Sequence, residues 1–191
     1  MLDNTKGYDI KFIQKASPKE SGDAFDFAYI YKFFSTKTDS QQSLKYIIRA
    51  ENHDNVFAIK FYAARDKKLD TKYSRVVNAN SIINTLNIFK TCAQIIPLLS
   101  KDFPTHSFII KGQSGFDTFN NRIEDDCNNQ RYRIYRNLAK YFITNNKFEH
   151  FIFEEISTYL LVNKHCNNVI DEKNKIKDMF ISRYDILDPI D

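Results

Sequence analysis

The stretch Phe25-Asp26-Phe27-Ala28-Tyr29-Ile30-Tyr31-Lys32-Phe33 carries an aromatic ring at every second residue. Successive residues of a strand point to opposite faces of its sheet, so Phe25, Phe27, Tyr29, Tyr31 and Phe33 share one face. Asp26 and Lys32 fall on the other, which Ala28 and Ile30 make only partly polar. The same alternation returns in residues 44–50 through Leu44, Tyr46 and Ile48, and in 56–63 through Phe57, Ile59 and Phe61. Between these runs Glu51-Asn52-His53-Asp54-Asn55 has the composition of a turn. Residues 8–15 and 73–77 are weaker strand candidates. Strands in this succession predict an antiparallel meander.

The period changes after Asn78. Ile82, Leu86, Phe89, Ala93 and Ile96 recur at intervals of three and four, which predicts an amphipathic helix. Asn80 is placed to cap its start, and Pro97 is expected to end it after Ile96. Ser107–Lys111 reads as a buried strand ending at Gly112. An Asn-rich polar stretch over 113–129 precedes a second helix with Ile134, Tyr135, Leu138, Tyr141 and Phe142 on its apolar stripe. After Asn145-Asn146, residues 148–153 and 156–162 read as two strands or one bent strand. From Asp171 a short helix could use Ile176, Met179 and Phe180, or the chain could continue as an extended tail. The predicted class is α+β: an antiparallel β-meander packed against two amphipathic helices, with one or two C-terminal strands and a short helical tail. Residues 1–165 are expected to form a single domain and 166–191 a C-terminal tail or short helix.

Composition supports a chain with its own core. Of 191 residues, 42% are hydrophobic, and 17 Phe and 11 Tyr supply large buried area; a chain of this length hides roughly 70% of its unfolded surface. Charged residues at 27% lie near the globular average, which argues against wholesale disorder. Cys92, Cys127 and Cys166 are too few and too scattered for a disulfide framework, so reduced thiols and a cytoplasmic location are expected. The first 15 residues hold no apolar signal core, and Pro97 interrupts the densest apolar run, 95–100, so no membrane partner is expected. Net charge +4 permits nucleic-acid contact without requiring it.

Three segments between Val56 and Tyr135 resemble an uncharacterised bacterial family of small α+β domains of unknown function. They are the Phe-rich strand over 56–63 with the helix start at 76–89, the Phe103-Pro104 pair leading into Ser107–Ser114, and Arg131-Tyr132-Arg133-Ile134-Tyr135-Arg136. The last is similar to the family's Arg-x-Arg-Leu-Tyr-Arg helix start. The likeness covers under half the chain, and a long polar insertion between Gly115 and Gln130 departs from the family spacing. It implies a fold and no activity.

No pattern identifies a reaction. The candidate phosphate- or partner-binding set is Lys111, Gly112 and Ser114 with Arg131, Arg133, Tyr135 and Arg136. A glycine bend after a strand exposes backbone N–H groups, guanidinium forks grip phosphate, and a helix start adds positive potential. The competing reading is a solvated helix face with Arg131 and Tyr135 at the core edge. Tyr135 or Lys111 could assist proton transfer in a metal-independent ribonuclease, but no local general base accompanies them. Lys60, Arg65, Lys67, Lys68, Lys72 and Arg75 form a possible basic loop, with Tyr62 and Tyr73 able to stack bases. Glu124-Asp125-Asp126 reads as N-terminal electrostatics for the second helix, against a weak Mg²⁺ site. No Cys-x-x-Cys, His-Glu-x-x-His or Walker pattern occurs, so neither a metal nor a cofactor is expected.

Two functions follow, beside a third reading as a purely structural or accessory subunit whose aromatic sheet face packs on another chain. The first is a non-enzymatic interaction protein with a protein partner, such as a component of a bacterial toxin–antitoxin, immunity or phage-defence system, docking through a sheet edge or through Phe180 and Tyr184. The second is an RNA- or nucleotide-phosphate-binding protein built on Arg131–Arg136.

Overall fold

Nine strands and four helices account for the regular structure of the computed structural model, which describes residues 6–18, 24–36, 42–75, 82–117, 122–143 and 145–184. The meander is present as β1 (Lys11–Ala16), β2 (Phe27–Phe34), β3 (Lys45–His53) and β4 (Val56–Ala63), each antiparallel to the next. The chain then crosses over through α1 (Ile82–Ala93) and α2 (Ile95–Asp102) and returns as β5 (Ser107–Lys111), parallel to β4. A short hairpin, β6 (Phe116–Asp117) with β7 (Arg122–Ile123), leads to α3 (Gln130–Phe142). Finally β8 (Phe148–Phe153), β9 (Thr158–Asn163) and α4 (Val169–Tyr184) complete the order. The seven-stranded sheet runs β1-β2-β3-β4-β5-β9-β8. The fold is mixed α+β.

The alternating aromatics account for the main core. Tyr31 and Phe33, Tyr46 and Ile48, Phe57, Ile59 and Phe61, Phe108 and Ile110, and Tyr159 and Leu161 all point to one face. There they meet Ile88, Phe89 and Cys92 of α1, Ile95, Ile96 and Leu99 of α2, and Tyr132, Tyr135 and Leu138 of α3. Ring pairs such as Phe61–Phe89 and Phe89–Tyr135 meet edge to face, the arrangement that ring quadrupoles favour. On the opposite face α4 packs Ile176 against Val56, Leu160 and Val162. A smaller cluster of Phe25, Ala28, Ile30, Ile47 and Tyr62 continues that side, with Tyr73 packed on it.

Several local expectations are revised. Glu51, Asn52 and His53 belong to β3 and are buried, and the turn is Asp54-Asn55 alone. Asp54 takes φ 55°, a conformation that a short polar side chain tolerates. The first helix does not end at Ile96. It breaks at Gln94 and restarts, so that Pro97 lies in the first turn of α2, where a missing N–H costs nothing. Ile82–Asp102 is long and apolar enough by length and composition to cross a membrane, yet half of its apolar window is buried. Residues 148–153 and 156–162 yield two antiparallel strands rather than one bent strand. Tyr73 lies in a 3-10 turn, Asp70–Tyr73, rather than in a strand. Asn80, Val76 and Val77 lie outside the described residues.

The segment that joins β5 to α3 shows what Gly112 does. Its N–H donates to the Ser157 carbonyl at 2.8 Å, and its carbonyl accepts from Asn129 Nδ2 at 2.6 Å. Asn129 in turn caps α3, its Oδ1 accepting from Tyr132 N at 2.9 Å. A Cβ on Gly112 would stand 2.5 Å from Asn129 Oδ1 and 2.6 Å from Tyr132 N. Gly112→Ala is therefore expected to lower stability by about 1–3 kcal/mol through overpacking against a backbone that has nowhere to move. Urea unfolding checks this as a lower midpoint at unchanged m value; a wild-type midpoint would refute the close approach.

Candidate functional site

Parallel pairing between β4 and β5 is short: Val56 opposite Ser107, Phe57 opposite Phe108 and Ala58 opposite Ile109. Beyond it β4 continues to Ala63 beside β3, while β5 continues to Lys111 beside β9. The carboxyl ends of two parallel neighbours thus part company, the kind of crevice in which open sheets carry their ligands. A cleft of about 420 Å³ fills the parting, within the usual range for small-molecule sites (roughly 300–1,000 Å³).

Strand alternation brings residues of both faces into it. Ala58, Lys60, Ile109, Lys111 and Thr158 come from the side that α4 covers, while Ile59, Phe61, Arg131 and Tyr135 come from the side of α1 and α3. Tyr73 of the 3-10 turn, and Phe180 and Tyr184 of α4, add aromatic surface; Gln113 and Ile156 complete the lining. Three cations and no carboxylate line the cleft among the described residues.

Each cation is held differently. Arg131 donates from both terminal nitrogens to main-chain carbonyls, Nη1 to Tyr73 and Nη2 to Arg75, and its guanidinium lies 5.7 Å from the centre of the Phe61 ring. No carboxylate pairs with it among the described residues. Burial lowers its pKa, opposed by Tyr135, Cys92 and the Glu124 carboxylate, but a guanidinium stays charged in a protein. Lys60 Nζ sits 2.5 Å from Glu51 Oε2, and Arg49 Nε is 2.9 Å from the other oxygen. Burial works to raise the Glu51 pKa, but Lys60 and Arg49 outweigh it and hold the carboxylate below its ordinary range. Lys111 is exposed and makes no ion pair among the described residues.

The candidates divide sharply. Lys111, Arg131 and Tyr135 meet in the cleft, and Lys60 joins them from mid-strand in β4 rather than from a loop. Gly112 packs against α3 with its N–H already used, so the expected nest of free amides is not formed. Ser114 is buried and donates to Asp126 Oδ1. Arg133 donates to the Asn128 carbonyl, and Arg136 pairs with Glu154. The arginines of 131–136 therefore diverge, and only the first faces the cleft. Arg65 and Arg75 each stand 3.9 Å from Asp66, and Lys72 lies over the rings of Tyr62 and Tyr73, while Lys67 and Lys68 are exposed. Residues 64–75 form two 3-10 turns on the way to α1, not a hairpin loop.

Tyr135 is unsuited to proton transfer: it is buried, shares a hydrogen bond with the Cys92 thiol, and burial pushes its phenol well up. Glu124 accepts from Gln130 N at 2.5 Å, which satisfies an orphan donor at the start of α3 as the acidic cluster suggested. Among the described residues no three His, Cys, Asp or Glu side chains gather as metal ligands. Phe180 and Tyr184, expected from the sequence only as anchors for a protein partner, line the cleft instead. Their only signal was the spacing of four that puts both on one side of a helix.

His53 anchors that helix. Its ring lies between β3 and α4, 4.9 Å from the centre of Phe180 and 5.6 Å from that of Tyr184, with Nε2 3.3 Å from the Tyr184 hydroxyl. Burial lowers the pKa of His53, His106 and His150 from the usual 6.5. As pH falls through that value the unfolded chain takes up protons first, so stability is full above it and is lost progressively on acidification. The urea midpoint is expected to be lower at about pH 5.5 than at about pH 7.5, and His53→Gln to narrow the difference. A midpoint unchanged across that window would contradict it.

Compared with known protein families, with curated proteins and with solved structures, the chain matches none.

Proposed function

We propose that this chain binds a phosphate-bearing ligand in the cleft between the parted ends of β4 and β5. The observation that carries the reading is a half-buried guanidinium, Arg131, without a carboxylate partner among the described residues, beside Lys111 and Lys60 in a cleft that has no acid in its lining. Lys60 has Glu51 as its counter-charge, but the carboxylate that acts on Arg131, Glu124, makes no ion pair with it, and an anion entering the cleft would supply a direct one. The pinned fork of Arg131 gives a fixed centre of positive charge that needs no reordering on binding, and Lys111 adds a mobile ammonium at the rim.

The alternative reading, docking of a protein through Phe180 and Tyr184, is weakened because both rings pack on His53 and line the cleft. No residue is assigned a catalytic role.

Equilibrium dialysis against inorganic phosphate tests the proposal. Binding is expected to weaken with added salt and to drop about tenfold in Lys111→Gln, since a charge-assisted contact is worth about 1.4 kcal/mol or more. Arg133→Gln, away from the cleft, should bind as wild type. Loss of binding in Arg133→Gln with retention in Lys111→Gln would move the site elsewhere and end the proposal.

A further inference from the structure

The geometry points to a nucleoside monophosphate as the ligand of this cleft, with its base against the Tyr73 and Tyr184 rings and its phosphate toward Lys111 and Arg131. This inference rests on the phosphate reading above and adds what the rest of the ligand is.

A bare anion would leave most of the cleft unused. Ile59, Phe61, Ile109, Ile156 and Phe180 make its lining largely apolar, and such surface is matched by a body that leaves water behind. Two half-buried phenols, Tyr73 from the 3-10 turn and Tyr184 from the last turn of α4, bring aromatic surface to the same space from separate elements. Phe180 stacks on Tyr184 with ring centres 5.9 Å apart and planes 18° apart, which stiffens that wall. Flat aromatic surface of this kind stacks a planar heterocycle, whichever base it is.

The ligand is also short. A polymer needs a track of cations leading away from the cleft, and among the described residues the neighbouring arginines are tied to other groups, while Lys67 and Lys68 stay exposed. Arg133 and Arg136 are committed to Asn128 and Glu154, and Arg65 and Arg75 stand beside Asp66. With 28 basic against 24 acidic residues, the chain as a whole lacks the strongly basic surface that phosphate-backbone binding draws on.

The test uses the full chain and isothermal titration with three probes: adenosine 5′-monophosphate, inorganic phosphate and a single-stranded oligouridylate. Adenosine 5′-monophosphate is expected to bind at least about tenfold more tightly than inorganic phosphate, because base stacking adds to the charge contact. Tyr184→Leu should remove most of that advantage while leaving phosphate binding intact, and Tyr184→Phe, which keeps the ring, should restore it. Equal affinities for the mononucleotide and phosphate, with no effect of Tyr184→Leu, would overturn the base subsite and leave the phosphate reading standing. Tighter binding of the oligouridylate than of the mononucleotide would overturn the mononucleotide assignment in favour of a strand. Binding of none of the three would end both proposals.

Discussion

Two parallel strands that stay paired for only three residues set the geometry on which the site depends. β4 is tied to β3 along its whole length, from His53 opposite Val56 to Tyr46 opposite Ala63. β5 is tied to β9 from Phe108 to Lys111. Each strand follows its antiparallel partner, and past Ala58 and Ile109 the two directions are incompatible with continued pairing. A gap in a sheet is costly when its main-chain groups lose water without gaining partners. Here it opens into the cleft at the carboxyl ends, the space in which the ligand is proposed to bind.

The elements around the gap are fixed by buried polar contacts rather than by the gap itself. Ser157, at φ 48°, gathers three segments: its carbonyl holds Gly112, its hydroxyl accepts from Asn129 N and donates to the Asp126 carbonyl. That knot aims α3 so that Arg131 reaches the carbonyls of Tyr73 and Arg75. On the other side Arg183 joins Asp26 and Asp54, and with His53 it holds the last turn of α4 beside Lys60. Glu51 then fixes Lys60 from below. Charged and aromatic groups are thus brought to one place by contacts far apart in sequence, a precondition for preorganised binding.

Local periodicity made the fold class and most elements legible. The alternating rings from Phe27 to Phe33 and, of the expected helix stripe, Phe89, Ala93 and Ile96 lie on the buried side, whereas Phe25 packs on the opposite face of the sheet, Leu86 is half-buried and Ile82 is exposed. What stayed hidden depended on register and topology. The Glu51–His53 run looked like turn composition because the partners of Glu51 and His53, namely Lys60, Ala24 and Tyr184, come from other segments of the chain. The parallel return of β5 leaves no local mark in the chain. Arg131 and Lys111 were visible as candidates because a strand end and a helix start sit near each other in sequence, but Gly112 read as a phosphate bend when it is a packing contact. Lys60 and Tyr184, 124 positions apart, could be joined only by folding.

The most direct measurement is amide chemical-shift mapping on the isotopically labelled full chain as adenosine 5′-monophosphate is added. The account predicts shifts confined to residues 58–61, 109–113 and 131, with Tyr73 and Tyr184, on both sides of the parted strands. Shifts centred instead on Arg133, Arg136 or the β1 edge, with the β4 and β5 ends silent, would contradict it.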